Sequence, residues 1–127
     1  MQENWLNYAN APEQGAIICP ASLVEEDATF CLNIKSPTGD FPVIILRKEG
    51  SFYGFVNACP HQYLPLNYRA ENIISSDKRH LLCSVHGAAF DIINGNCISD
   101  TLDSLDSIPL HVNKQGNLCI GYPKFGL

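Results

Sequence analysis

Basic side chains are scarce: eight Lys and Arg stand against thirteen Asp and Glu, giving a net charge of −5. The few cations are scattered, which argues against a nucleic-acid partner, whose phosphates draw clustered Lys and Arg. An acidic surface suits steering toward a basic protein partner, and it equally suits plain solubility. Long apolar runs are missing as well. The longest, "FPVIIL" at residues 41–46, is strand-sized, whereas a membrane span needs about 20 apolar residues, so no membrane partner is expected. The opening "MQENWLNYANAPEQ" has no basic region followed by an apolar core. No secretory leader is expected there, and the cytoplasm is the expected compartment. Internal repeats, low-complexity segments and linkers are absent, so one domain is expected over residues 1–127, with 1–14 loosely ordered unless Trp5 and Tyr8 pack down. No Ser/His/Asp set, phosphate-binding glycine loop or paired carboxylate motif is present.

What is present is 46% apolar and 17% charged, the balance of a globular chain with a core. Short runs rich in Val, Ile, Phe and Tyr recur at residues 16–19, 30–34, 43–47, 52–57, 79–83, 88–92, 97–98, 110–112 and 118–122. Gly, Pro, Asn, Asp and Ser punctuate them. "KEGS" (48–51), "INGN" (93–96) and "NKQGN" (113–117) read as hairpin turns, the second as a type I′ turn through Asn94-Gly95. A short helical turn is expected over 22–27. The pattern lacks the strand–helix alternation of a parallel sheet, so the fold class is all-β and antiparallel.

Six cysteines without a secretion signal suggest metal or redox chemistry more than disulfides. Cys19, Cys31, Cys97 and Cys119 sit in apolar or alternating segments and are expected to be small core residues. Cys59 and Cys83 differ. "ACPHQYLPL" (58–66) pairs Cys59 with His61, and "LLCSVHGAAFD" (81–91) pairs Cys83 with His86. The neighbouring Pro60 and Gly87 argue that both pairs lie on tight loops. Two such loops can meet at one metal with two thiolates and two imidazoles. Three readings fit: coincidence, a structural zinc site, or a two-iron, two-sulfide cluster. Zinc mainly folds chains too small for a core, and its fingers group the cysteines and the histidines separately. Mixed pairs suit a cluster whose irons take different donors.

The motif "CPH" followed by Leu66, then "CSVHGAAFDIINGNC", resembles the Rieske [2Fe–2S] family, with Cys59, His61, Cys83, His86, Gly87, Phe90, Asp91 and Gly95 in register. The resemblance runs over roughly residues 15–122 and implies a Rieske-like antiparallel β-sandwich or barrel, with a small cluster-binding subdomain at about 58–98. It implies that Cys59 and Cys83 bind one iron and His61 and His86 the other. Two ferric ions, two sulfides and two thiolates sum to zero charge, where four thiolates would leave two negative charges. An electron is added more easily to the neutral centre, so the His-ligated type lies at about −150 to +300 mV.

High-potential members carry a cysteine in each box that forms a disulfide; here those positions are Leu64 and Val85. They also place a serine and a tyrosine that donate hydrogen bonds to sulfur, where this chain has Ala88 and Phe90. Both absences point to the low end of the range, as in ferredoxins that feed oxygenases. Tyr63 stands where the family usually has glycine, and the polar segment between the boxes, 67–80, reads as a surface excursion. The implied role is a one-electron carrier between a flavin-dependent reductase and a terminal oxygenase or other acceptor protein, acting as a component rather than an enzyme by itself. The alternatives are a non-catalytic or regulatory subunit, as in the small subunit of nitrite reductase, and a structural zinc domain. His80 and His111 are not expected to be ligands, and Asp91 is expected to order its loop through backbone hydrogen bonds.

Overall fold

The computed structural model describes residues 4–36, 38–60, 64–84, 87–99 and 103–122. Among the described residues nine strands make three antiparallel sheets. Strands β2 (Thr29–Ser36), β3 (Gly39–Lys48), β4 (Ser51–Val56) and β7 (Ser107–Ile108) form a four-stranded sheet in the order β2-β3-β4-β7. Strands β1 (Ile17–Pro20), β8 (Leu110–Val112) and β9 (Asn117–Ile120) form a second, ordered β1-β9-β8. A two-stranded ribbon pairs β5 (His80–Leu82) with β6 (Ala89–Asp91).

Strand β3 organises the rest. Its sequence "FPVIIL" is apolar on both faces, which requires cover on both sides. Phe41, Val43 and Ile45 enter one core with Val56, Ile108, Leu118 and Ile120. Ile44 and Leu46 enter the other, with Phe55, Leu66, Ile73, Leu81, Phe90 and both Cys59 and Cys83. The four-stranded sheet is therefore a middle layer. The three-stranded sheet covers one face, and the ribbon with its loops covers the other.

The hairpin turns follow local chemistry. Between β3 and β4 the register Lys48↔Ser51 leaves a two-residue turn, with φ of +51° at Glu49 and +81° at Gly50, the backbone of a type I′ turn. The Asn94-Gly95 turn differs from its expected type I′ form. Only Gly95 has positive φ there, at +79°. The Asp91 carboxylate accepts from the Ile93 and Asn94 amides at 2.7 and 3.3 Å, and Phe90 bridges Cys97. An Asx turn has widened the connection, because the carboxylate satisfies two amides that a tight turn would leave to water. Residues 97–98 accordingly contribute a bridge and no strand. The expected helical turn is a single 3-10 turn at Ala21–Leu23.

The N-terminal residues pack down. A 3-10 turn, Asn4–Asn7, carries Trp5 into the first core with no exposure. Phe41 lies 6.4 Å from the Trp5 ring and 5.8 Å, edge-on, from Tyr8. The Tyr8 hydroxyl donates to Asp106 Oδ2 at 2.6 Å across the chain. A hydrogen bond to a charged acceptor contributes about 1.5–3 kcal/mol. Tyr8→Phe is therefore expected to lower unfolding stability by about 1–2 kcal/mol, read by denaturant titration. An unchanged midpoint would show that this bond does not hold the N-terminal segment.

The segment between the boxes is not wholly a surface excursion. Ile73 and Ile74 are buried. Ile74 bridges Leu81, and the Leu82 amide donates to the Ile73 carbonyl at 2.7 Å. Two isoleucines inside a polar run were the available signal: apolar burial holds the excursion by its middle.

Candidate metal centre

Strand β4 runs into the first loop, and β5 and β6 flank the second. Cys59 has no exposure and Cys83 has 1%, and both belong to the same apolar cluster as Leu66, Leu81, Ala88 and Phe90. Each loop is closed by its own backbone. The Cys59 amide donates to the Leu64 carbonyl at 2.8 Å. The Cys83 amide donates to Ala88 O at 2.9 Å, and the Gly87 amide donates back to Cys83 O at 2.7 Å. Gly87 sits at φ +73°, a conformation that side chains disfavour. Gly95 is needed for another reason: a Cβ there would lie 2.9 Å from the Phe55 ring and 3.0 Å from the Leu105 carbonyl.

The two loops are also bonded to each other. Ser84, next to Cys83, gives both its amide (2.9 Å) and its hydroxyl (2.6 Å) to the Leu66 carbonyl. The Ser84 hydroxyl in turn accepts from the Arg69 amide at 2.9 Å. Leu66's own amide donates to Asn57 Oδ1 at 2.7 Å, and Asn57 Nδ2 donates to Asn67 Oδ1 at 2.9 Å. Neither Asn57 nor Ser84 stands out in the sequence. The one signal was an amide side chain at the end of an apolar strand, where burial demands a partner.

The remaining residues fall into structural roles. Cys19 and Cys119 are buried, and Cys31 and Cys97 are half-buried against the core. Burial raises the Cys19 thiol and pushes Cys31 up to about 11, and these two cysteines lie on strands β1 and β2 rather than on either loop. His111 Nδ1 lies 2.8 Å from the Gly121 carbonyl. His80 is half-buried on β5, with Nδ1 3.6 Å from Asp77. Asp91 orders its turn, as expected. His61, Tyr63, Val85 and His86 lie outside the described residues, and no group of three or more metal-ligating side chains occurs among the described residues.

The Rieske [2Fe–2S] domain family matches residues 16–109, taking in both loops and the middle sheet. The chain belongs to the Rieske [2Fe–2S] family. The ferredoxin component of the alkene monooxygenase system of Xanthobacter autotrophicus is 31% identical over 83 residues, covering 65% of this chain and 64% of that protein. The match thus spans less than two thirds of the relative. Two solved structures share the fold. The ferredoxin of carbazole 1,9a-dioxygenase from Nocardioides aromaticivorans superposes with a TM-score of 0.67 at 14% identity, over 88% of this chain and all of the other. A chain described as an NADH-dependent nitrite reductase small subunit, from Mycobacterium tuberculosis, gives 0.64 at 16% identity, over 89% and 99%. The Rieske cofactor is a [2Fe–2S] cluster, and the thiols of Cys59 and Cys83 have the chemistry that would hold one of its irons. Two cysteines from separate, backbone-closed loops sit in one apolar cluster and are tied across by Ser84 and Leu66.

Proposed function

We propose that this Rieske protein is a one-electron carrier that takes electrons from a flavin-dependent reductase and delivers them, in the cytoplasm, to a terminal oxygenase or a similar acceptor. The observation that carries the reading is the pair of buried cysteines on cross-tied loops in a chain of this family. The assigned ligands are Cys59 and Cys83 for one iron and His61 and His86 for the other. When bound, the cluster accepts and releases a single electron. The chain's own part is to exclude water from the sulfur side, through Leu66, Leu81, Ala88 and Phe90, and to tie Leu66 of the first loop to Ser84 beside Cys83. The oxygenase partner is supported by the names of two relatives, a monooxygenase system and a dioxygenase.

A surface feature supports a basic docking partner. A groove of about 140 Å³ runs beside the first loop, lined by Tyr8, Ala58, Pro60, Asp103, Ser104 and Asp106. Two carboxylates thus flank the loop, where they favour a cationic surface at low salt. Among the described residues no helix is long and apolar enough to cross a membrane.

Stopped-flow mixing with a flavin reductase and NADH tests the role. Bleaching of the cluster should proceed at 10 per second or faster in order of magnitude, in step with ordinary turnover, and the reduced protein should sustain an oxygenase. A cluster that such reductases leave oxidised would instead assign the protein to the non-catalytic subunit class.

A further inference from the structure

Both peptide groups of Leu66 are held from opposite sides. Asn57, two residues before Cys59, receives its N–H; Ser84, one residue after Cys83, gives two donors to its C=O. Leu66 itself has no exposure and packs with both cysteines. Asn57 is the one buried polar side chain among the described residues, at 5% exposure. Apolar packing alone would bring the loops together without fixing their offset, because burial is non-directional. Hydrogen bonds at 2.6–2.9 Å are directional. The line Asn57–Leu66–Ser84 therefore fixes the exit of the first loop against the entry of the second.

We infer that Asn57 and Ser84 are positioning residues for the cluster: by clamping the Leu66 peptides they set the offset of the Cys59 and Cys83 sulfurs independently of the metal. This rests on the ligand assignment proposed above. The clamp makes the sulfur side of the site preorganised, so that iron enters a geometry already in place and leaves it slowly. Ser84 acts through both of its donors, and only the hydroxyl can be removed by substitution.

The test compares wild-type holoprotein with Ser84→Ala, Ser84→Thr, Asn57→Ala and Phe41→Leu, all purified without air. The readouts are the rate of iron release to a ferrous chelator well below each unfolding midpoint and the paramagnetic resonance spectrum after dithionite reduction. Ser84→Ala and Asn57→Ala should each release iron about tenfold faster and broaden the spectrum. Ser84→Thr, which keeps the hydroxyl, should match wild type in both. Phe41→Leu loosens the other core; it should lower the unfolding midpoint yet leave release and spectrum unchanged. Wild-type release and spectrum in Ser84→Ala and Asn57→Ala would overturn the clamp while leaving the ligand assignment standing. So would equal acceleration in Phe41→Leu, which would make release a matter of general stability. Should Ser84→Ala not fold, Asn57→Ala decides. Wild-type protein without iron or acid-labile sulfide would instead fell the ligand assignment, and the clamp's role with it.

Discussion

Cys83→Ser is expected to give colourless protein with no iron and no acid-labile sulfide. Cys83 is 1% exposed, inside an apolar cluster. A serine hydroxyl does not ionise at neutral pH, so it supplies no anionic donor to iron. It also leaves a buried hydroxyl short of a partner, at a cost of about 1–3 kcal/mol. Cluster binding contributes to folding, since the ligands must be deprotonated and brought together. The variant should therefore also unfold several degrees lower. His61→Ala should lose its colour in the same way, as the assigned ligand to the other iron. Cys31→Ala is the control: Cys31 lies on β2 rather than on either loop, half-buried against the core, and the variant should keep the full visible spectrum. A brown Cys83→Ser protein with a complete cluster would remove Cys83 from the ligand set. Colour lost equally from Cys31→Ala would remove the distinction between ligand and core cysteine.

The second large effect concerns the reduction potential. Phe90, on β6 opposite Leu81, has no exposure and shares its cluster with Cys59, Cys83 and Ala88. Neither Ala88 nor Phe90 carries a side-chain donor, so the added electron gains no side-chain hydrogen bond from these positions. The wild-type midpoint is accordingly expected below zero millivolts, in the lower part of the Rieske range. Phe90→Tyr should raise it. A hydrogen bond to a charged group contributes about 1.5–3 kcal/mol. If the reduced form gains about 1.4 kcal/mol more than the oxidised form, the shift is on the order of 60 mV for a one-electron couple. A spectroelectrochemical titration of both proteins is the check. A wild-type midpoint clearly above zero, or a Tyr variant that does not move upward, would show that donors at these two positions do not set the potential.

The sequence made the chemistry more legible than the shape. Two Cys/His pairs beside Pro60 and Gly87, with Phe90, Asp91 and Gly95 in register, were enough to name the family. Alternating apolar runs with glycine-bearing turns gave the antiparallel class and, of the nine strands among the described residues, eight in outline. What escaped was tertiary in origin. The Asn94-Gly95 turn reads as a tight hairpin until the Asp91 carboxylate competes for the Ile93 and Asn94 amides. Ile73 and Ile74 look like stray apolar residues until the opposite face of the middle sheet needs cover. Asn57 and Ser84 are ordinary residues in a string; their roles exist only once residues 57, 66 and 84 are neighbours in space. Trp5 could have frayed with the terminus; its burial in the core of Phe41, Val43, Ile45 and Leu118 shows only in three dimensions.

Strand β3 lends alternate side chains to two hydrophobic interiors, so neither interior can melt while the other survives intact. Loosening the N-terminal anchor on one side and losing metal on the other draw on the same shared beam. The domain should accordingly open in a single concerted transition, and its slowest-exchanging amides should belong to β3 rather than to the loops that carry the chemistry.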